Sequence, residues 1–237
     1  KKLSALSSMV VIDDFPTYFP RIVANNVAAK LPILSVAIDS NGILPMNLAG
    51  KECLTAHSFR RFMHKNVLNF IESEIYGEKL PIMTDLKKLS QEELKVIADE
   101  VEWEFTPLEW LWRAAQIDDI GISALSSIDI NHSVFPVTSA IGGSSNAFIR
   151  MSEFVDEKLS KYSENRNKPS EKATSGLSPW LHFGHISSHE IVFQILSKEK
   201  WDPSLIDESR IGSRAGWWGL SESSEGFLDQ LITWREL

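Results

Sequence analysis

Two short β-branched runs, "MVVID" (Met9 to Asp13) and "ILSVAID" (Ile33 to Asp39), each end in aspartate and flank a stretch with a different period. That stretch, "YFPRIVANNVAAKL", carries Ile22, Val23, Val27 and Leu31 at helical spacing. Strand, helix and strand in this order leave few folding solutions. The helical crossover returns the chain in the same direction, so the strands pair in parallel. The first part of the chain is therefore predicted to be α/β around a parallel sheet. "DSNGILP" supplies turn chemistry after the second strand, and no G-x-G-x-x-G follows either run, so no dinucleotide fingerprint is present.

Downstream the period becomes helical. Residues 55–76 read as a helix with Phe59, Met63, Val67 and Phe70 on its apolar face. Another starts at "LSQEEL", where Ser90 and Glu93 make a capping box, Leu89 can staple against Leu94, and Leu94, Ile97 and Val101 continue the stripe. "EWEFTPLEWLWRAAQIDDIGISAL" reads as a helix-rich crossover interrupted at Thr106-Pro107. "INHSVFPVTSAIGGSSNAF" is the linker candidate, with a boundary near residues 130–142. This divides the chain into an α/β region, 1–135, and an all-helical region, 136–237. In the second region Phe148, Met151, Val155, Leu159 and Tyr162 fall on one face of a long helix that stops at "NRNKP", because Pro169 cannot continue it.

Composition excludes several classes. With 237 residues, 43% apolar and 24% charged, the chain has the make-up of an ordinary globular protein. No apolar run approaches the ~18 residues of a membrane helix. Lys1-Lys2 is followed by a core-like strand signal rather than a signal peptide. The single cysteine, Cys53, allows no internal disulfide and fits an intracellular setting. A net charge of −8 opposes global attraction to nucleic acid, while leaving local basic groups at Arg166 to Lys168, Phe59 to Lys65 and Arg210/Arg214. Five of the eight tryptophans fall between Trp180 and Trp234, as core mass or as stacking platforms.

The densest chemistry lies in "TSGLSPWLHFGHISSHE" (Thr174 to Glu190). His182, His185 and His189 are spaced for one helix face. However, Ser178 as N-cap with Pro179 at the first helical position, Gly184, and a second capping box from Ser187 to Glu190 break that helix. The histidines straddle a turn, no Cys or Asp completes a shell, and no metal is assigned. Thr174, Ser175, Gly176, Leu177 and Ser178 instead bring hydroxyls and a permissive glycine to a helix N-terminus. Free N–H groups and the positive dipole end there suit a phosphate or pyrophosphate.

Three blocks together, "Y-x-x-x-R-N-x-P" (Tyr162 to Pro169), "T-S-G-L-S-P-W-L-H-F-G-H-I-S" and "F-L-x-Q-L-I-T-W-R-E-L" (Phe227 to Leu237), resemble the FAD-binding core of the photolyase/cryptochrome family. The resemblance is nearest to the class II cyclobutane-pyrimidine-dimer photolyases. "VVIDDFPTYFPR" and "VAIDSNGILPMNLAGKECLTAHSFRRF" resemble that class's antenna-domain segments, and "GGSSNAF" resembles the step that opens its helical domain.

The resemblance implies a partial Rossmann-like antenna domain followed by the first part of a helical FAD-binding domain, continuing past Leu237 and preceded by a missing first strand. Such a fragment is expected to bind FAD poorly alone. It further implies an intracellular, monomeric flavoprotein lyase acting on damaged DNA, in which light drives an electron from FAD to a flipped-out pyrimidine dimer. A second antenna chromophore is compatible with this pattern. By the same resemblance Tyr162, Thr174, Ser175, Gly176, Leu177, Ser178, Phe227, Leu231 and Arg235 contact the cofactor, and Gln230 and Trp234 carry the catalytic role. At α-helical pitch Phe227, Gln230, Leu231 and Trp234 share one face. Gln230 stands where the family's repair enzymes carry glutamate, and an amide has no carboxyl proton to give. That substitution keeps open a cryptochrome-like photoreceptor without repair activity. A flavin-free nucleic-acid-binding domain is the remaining alternative.

Overall fold

A strand–helix–strand unit opens the chain. In a computed structural model that describes residues 2–16, 18–74, 90–101, 131–135, 137 and 139–237, β1 (Met9–Asp13) pairs in parallel with β2 (Leu34–Ile38) through α1 (Tyr18–Ala28). The register runs from Met9 opposite Leu34 to Asp13 opposite Ile38, and Asp14 N–H extends the pairing to Ile38 O at 2.8 Å. The β-branched runs thus form the parallel pair that their spacing predicts.

Two compact units account for the fold. The first comprises residues 1–38 and 81–139, and the second 39–80 and 140–237. Residues 39–74 lie before the linker in sequence yet pack with the later helices. In the first unit the helix Gln91–Val101 starts at the capping box: Ser90 N–H donates to Glu93 Oε2 at 2.7 Å and Glu93 N–H to Ser90 Oγ at 3.2 Å. Leu89, the side chains of Leu94 and Val101, and the crossover with Thr106-Pro107 lie outside the described residues.

The second unit holds the core. α2 (Ala56–Asn66) starts at a Thr55/Ser58 capping box and leads through Val67 into α3 (Leu68–Glu74). Phe59, Met63 and Val67 are buried and Phe70 is half-buried, as the periodicity predicts. Instead of one long helix, α4 (Ser144–Glu153) passes into a π-turn at Phe154–Lys158, a 3-10 turn at Leu159–Lys161 and a last helical turn at Tyr162–Asn165. In a π-turn each N–H reaches the carbonyl five residues back, so one extra residue enters the turn. Met151, Val155, Leu159 and Tyr162 are buried, Phe154 joins them, and Phe148, in the regular helix before the π-turn, is exposed.

α5 (Ser178–His182) ends before Gly184, whose φ of +68° terminates the helical path. α6 (Ser188–Lys198) then starts with Ser187 as N-cap, its hydroxyl accepting from Glu190 N–H at 3.1 Å. Finally α7 (Glu222–Leu228) runs into a second π-turn, Asp229–Thr233, and the short turn Trp234–Glu236. Phe154, Met151, Ile191, Ile195, Trp217, Leu228 and Ile232 are fully enclosed where these elements meet. Among the described residues no helix is long and apolar enough to cross a membrane.

Candidate cofactor and substrate site

The hydroxyl-rich bend is anchored by an apolar residue and by a cation. Leu177 is buried in the core, while Thr174 and Ser178 are exposed and Ser175 is half-buried, so one apolar residue holds a polar loop against the protein. Gly176 has φ +66°, and a Cβ there would lie 2.8 Å from Arg150 Nη2. A side chain there would strain the backbone and push the guanidinium aside. Arg150, from α4, donates its Nε–H to Ser175 O at 2.7 Å.

Ser178 itself corrects an expectation. It is the first residue of α5, and Leu177 stands at the N-cap without a side-chain cap bond. Leu177 has φ −80° and ψ −9°, already turn-like, whereas a capping serine needs extended backbone. The first N–H groups of α5 are therefore not taken up by a capping side chain.

The histidines are brought to separate tasks. His185 Nδ1 accepts Gly143 N–H at 3.2 Å, and Trp180 Nε1–H donates to Ile141 O at 3.0 Å, so both pin the Gly-Gly step. His182 is exposed with its ring edge to Phe183, and His189 lies on α6. Among the described residues no cluster of His, Cys, Asp and Glu could hold a metal ion.

Tyr162, Phe227 and Leu231 do meet the same core. The Tyr162 ring stands edge-on to Phe227 at 5.3 Å and to Phe154 at 5.8 Å, with the Arg166 guanidinium 5.7 Å from its centroid. Gln230 is half-buried, and Trp234 and Arg235 are exposed. The shared face expected for Phe227, Gln230, Leu231 and Trp234 is not kept. The π-turn adds a residue between Leu228 and Trp234, leaving Phe227 and Leu231 inward and Trp234 55% exposed. Arg235 Nη1 donates to Asn41 O at 2.5 Å. Next to it Glu236 accepts from Ile43 N–H at 2.8 Å and Leu44 N–H at 3.4 Å. Burial pushes the Glu236 carboxyl up to about 7, against the opposing pull of those two bonds and of Arg235.

Arg60, His64 and Arg214, from two of the basic groups noted in the sequence, gather around Asp229. Asp229 is buried and bound by Arg60, with Nε at 2.6 Å and Nη2 at 3.4 Å; Arg214 Nε lies 3.7 Å away. The same carboxylate accepts the Trp234 indole N–H at 3.2 Å. His64 stacks flat on Trp217 at 4.0 Å and accepts Gly212 N–H through Nδ1 at 3.0 Å. Burial, reinforced by Arg60 and partly countered by Asp229, lowers its pKa to about 4, so His64 is a neutral acceptor. Arg60, His64, Arg214, Trp217 and Asp229 line a small cleft together with Thr233.

Comparison with known proteins decides the relationship. No family model matches the chain. A deoxyribodipyrimidine photo-lyase of Potorous tridactylus is 30% identical over 81 residues, 34% of this chain and 15% of that protein. One from Methanothermobacter thermautotrophicus is 29% identical over 164 residues, covering 69% and 30% respectively. Cryptochrome-2 of Arabidopsis thaliana is 30% identical over 126 residues, 50% of this chain and 20% of that protein. The chain is a photolyase/cryptochrome relative. Its matched stretch amounts to less than a third of each of these three proteins. In this photolyase/cryptochrome relative Arg150, Arg60 and Asp229 escape a local reading because each meets its partner far along the chain, 25 residues away for Arg150 and 169 for the other two.

Proposed function

We propose that the chain is part of a light-driven DNA repair flavoprotein, with residues 1–135 contributing to an antenna domain and 136–237 forming the first part of an FAD-binding domain. The observation that carries this reading is the Arg150 guanidinium laid against the Ser175–Gly176 bend. A cation, exposed hydroxyls, a positive-φ glycine and uncapped helix N–H groups are the donor set that a diphosphate takes. These residues fit FAD. Thr174, Ser175, Gly176, Leu177 and Ser178 would hold its pyrophosphate, and Tyr162, Phe227, Leu231 and Arg235 complete the cofactor set. When bound, the flavin supplies the electron chemistry.

The protein's own contribution is binding and orientation. The exposed Trp234 indole offers a flat face to a pyrimidine dimer flipped out of damaged DNA, and the Gln230 amide can donate to a pyrimidine carbonyl. The partner is damaged DNA, the setting intracellular and the protein monomeric, with room in the reading for a second chromophore. The full-length protein of which this chain is part, supplied with FAD, should take up the flavin's visible absorbance and split dimers in DNA under blue light. Arg150→Ala should weaken FAD binding about tenfold or more, the loss of one charged hydrogen-bond partner. Full-length protein that stays colourless overturns the reading.

One observation favours a second function. Gln230 cannot supply a carboxyl proton, which suits a flavin photoreceptor that does not repair. Coloured protein that leaves dimers intact, and gains repair in Gln230→Glu, would select it. Colourless protein that binds DNA without regard to lesions would select a flavin-free nucleic-acid-binding domain.

A further inference from the structure

We propose that Asp229 is the positioning residue for Trp234, fixing the plane of the indole that meets the flipped-out base; this rests on the role proposed for Trp234 above. The π-turn Asp229–Thr233 makes the pairing possible. At α-helical pitch residues five apart point about 140° away from each other. In the π-turn Trp234 N–H bonds Asp229 O, which stacks residue 234 over residue 229. The side chains then meet, and Asp229 Oδ2 accepts the indole Nε1–H at 3.2 Å.

The carboxylate is itself immobile. Its side chain is 4% exposed, and Arg60, also buried, grips both oxygens from α2 at 2.6 and 3.4 Å. Arg214 stands beside Oδ2 at 3.7 Å. The indole is more than half exposed, so only its polar edge is tied down while a broad apolar surface remains available. One end of the chain of contacts is buried and charged, and the other is open. This is how a rigid scaffold transmits its geometry to a surface aromatic.

The test separates positioning from mere support. With 5-fluorotryptophan incorporated, the Trp234 signal is the one lost in Trp234→Phe. It should shift and broaden in Asp229→Asn while the other tryptophan signals hold. An unchanged Trp234 signal in folded Asp229→Asn overturns the proposal. Should that variant fail to fold, the unmodified protein decides: the Trp234 indole N–H should exchange with solvent at least tenfold more slowly than a free indole, and exchange as fast as a free indole overturns the proposal. For dimer-containing DNA, Asp229→Asn should weaken binding about tenfold in the native background and not at all in Trp234→Phe. An equal loss in both backgrounds overturns the proposal. Wild-type protein that ignores dimers refutes the function proposed above, and the fluorine signal still decides the role of Asp229.

Discussion

Val11, on β1, and Ile232, in the second π-turn, are both β-branched residues, yet Val11 is 57% exposed and Ile232 is wholly enclosed. The same contrast runs through the two units. In the first, Met9 and Leu34 on the strands and Ile22, Val23 and Val27 on α1 are exposed. In the second, the equivalent apolar residues of α2, α6 and α7 are closed over by one another. Periodicity therefore sets which residues share a face, and only a partner element removes that face from water. Irregularity is distributed in the same way, since both π-turns lie where packing is tightest. Phe154–Lys158 turns two apolar residues inward, whereas Asp229–Thr233 also buries a charge and a hydroxyl.

The largest effect expected from this contrast is at Phe154. Phe154→Ala should cost about 3–5 kcal/mol in urea unfolding, because its ring is enclosed by Tyr162 and Phe227 and leaves a cavity. A loss below about 1 kcal/mol would erase the distinction between the units. Next comes Asp229→Ala, which strands Arg60 in the interior and should cost about 3 kcal/mol. Replacing both partners by apolar residues should recover much of that loss.

A smaller effect separates two buried groups by pH. His64, lowered from 6.5 to about 4, refuses when folded a proton that the unfolded chain takes up, so stability falls as pH drops through that window. Glu236, raised from 4.5 to about 7, keeps when folded a proton that the unfolded chain releases, so stability falls as pH rises through its window. Each slope is at most about 1.4 kcal/mol per pH unit, and the two oppose each other where the windows overlap. His64→Gln should therefore leave stability declining with rising pH, and Glu236→Gln should leave it increasing. The same slope in both variants would break the assignment. Smallest of all, Val11→Ala should change stability by no more than about 0.5 kcal/mol, as at an exposed site.

What was legible in the sequence was local. The Ser90 capping box and the Ser187 cap follow from residues three positions apart, and the parallel β1–β2 pair from two β-branched runs joined by one helical stretch. The buried stripe of α2 was readable because its period is unbroken from Phe59 to Val67. The π-turns were not, since an i-to-i+5 bond has no compositional mark, and the second one displaced Trp234 from its expected face. Ser178 misled because a Ser-Pro step looks alike whether the serine caps the helix or begins it. In the candidate site the bend at Thr174 to Ser178 could be read directly. Arg150 and the Arg60–Asp229 pair could not, because tertiary distance leaves no pattern along the chain.

Glu236 and Arg235 clasp the backbone of residues 41–44, and the Ile43 bond spans 193 positions. On a ribosome adding about 5–20 residues per second, residues 39–74 would wait roughly 10–40 s for that clasp to emerge. The early segment of the second unit is therefore born an orphan, and whatever shields its apolar side chains during that interval governs how much usable protein a cell obtains.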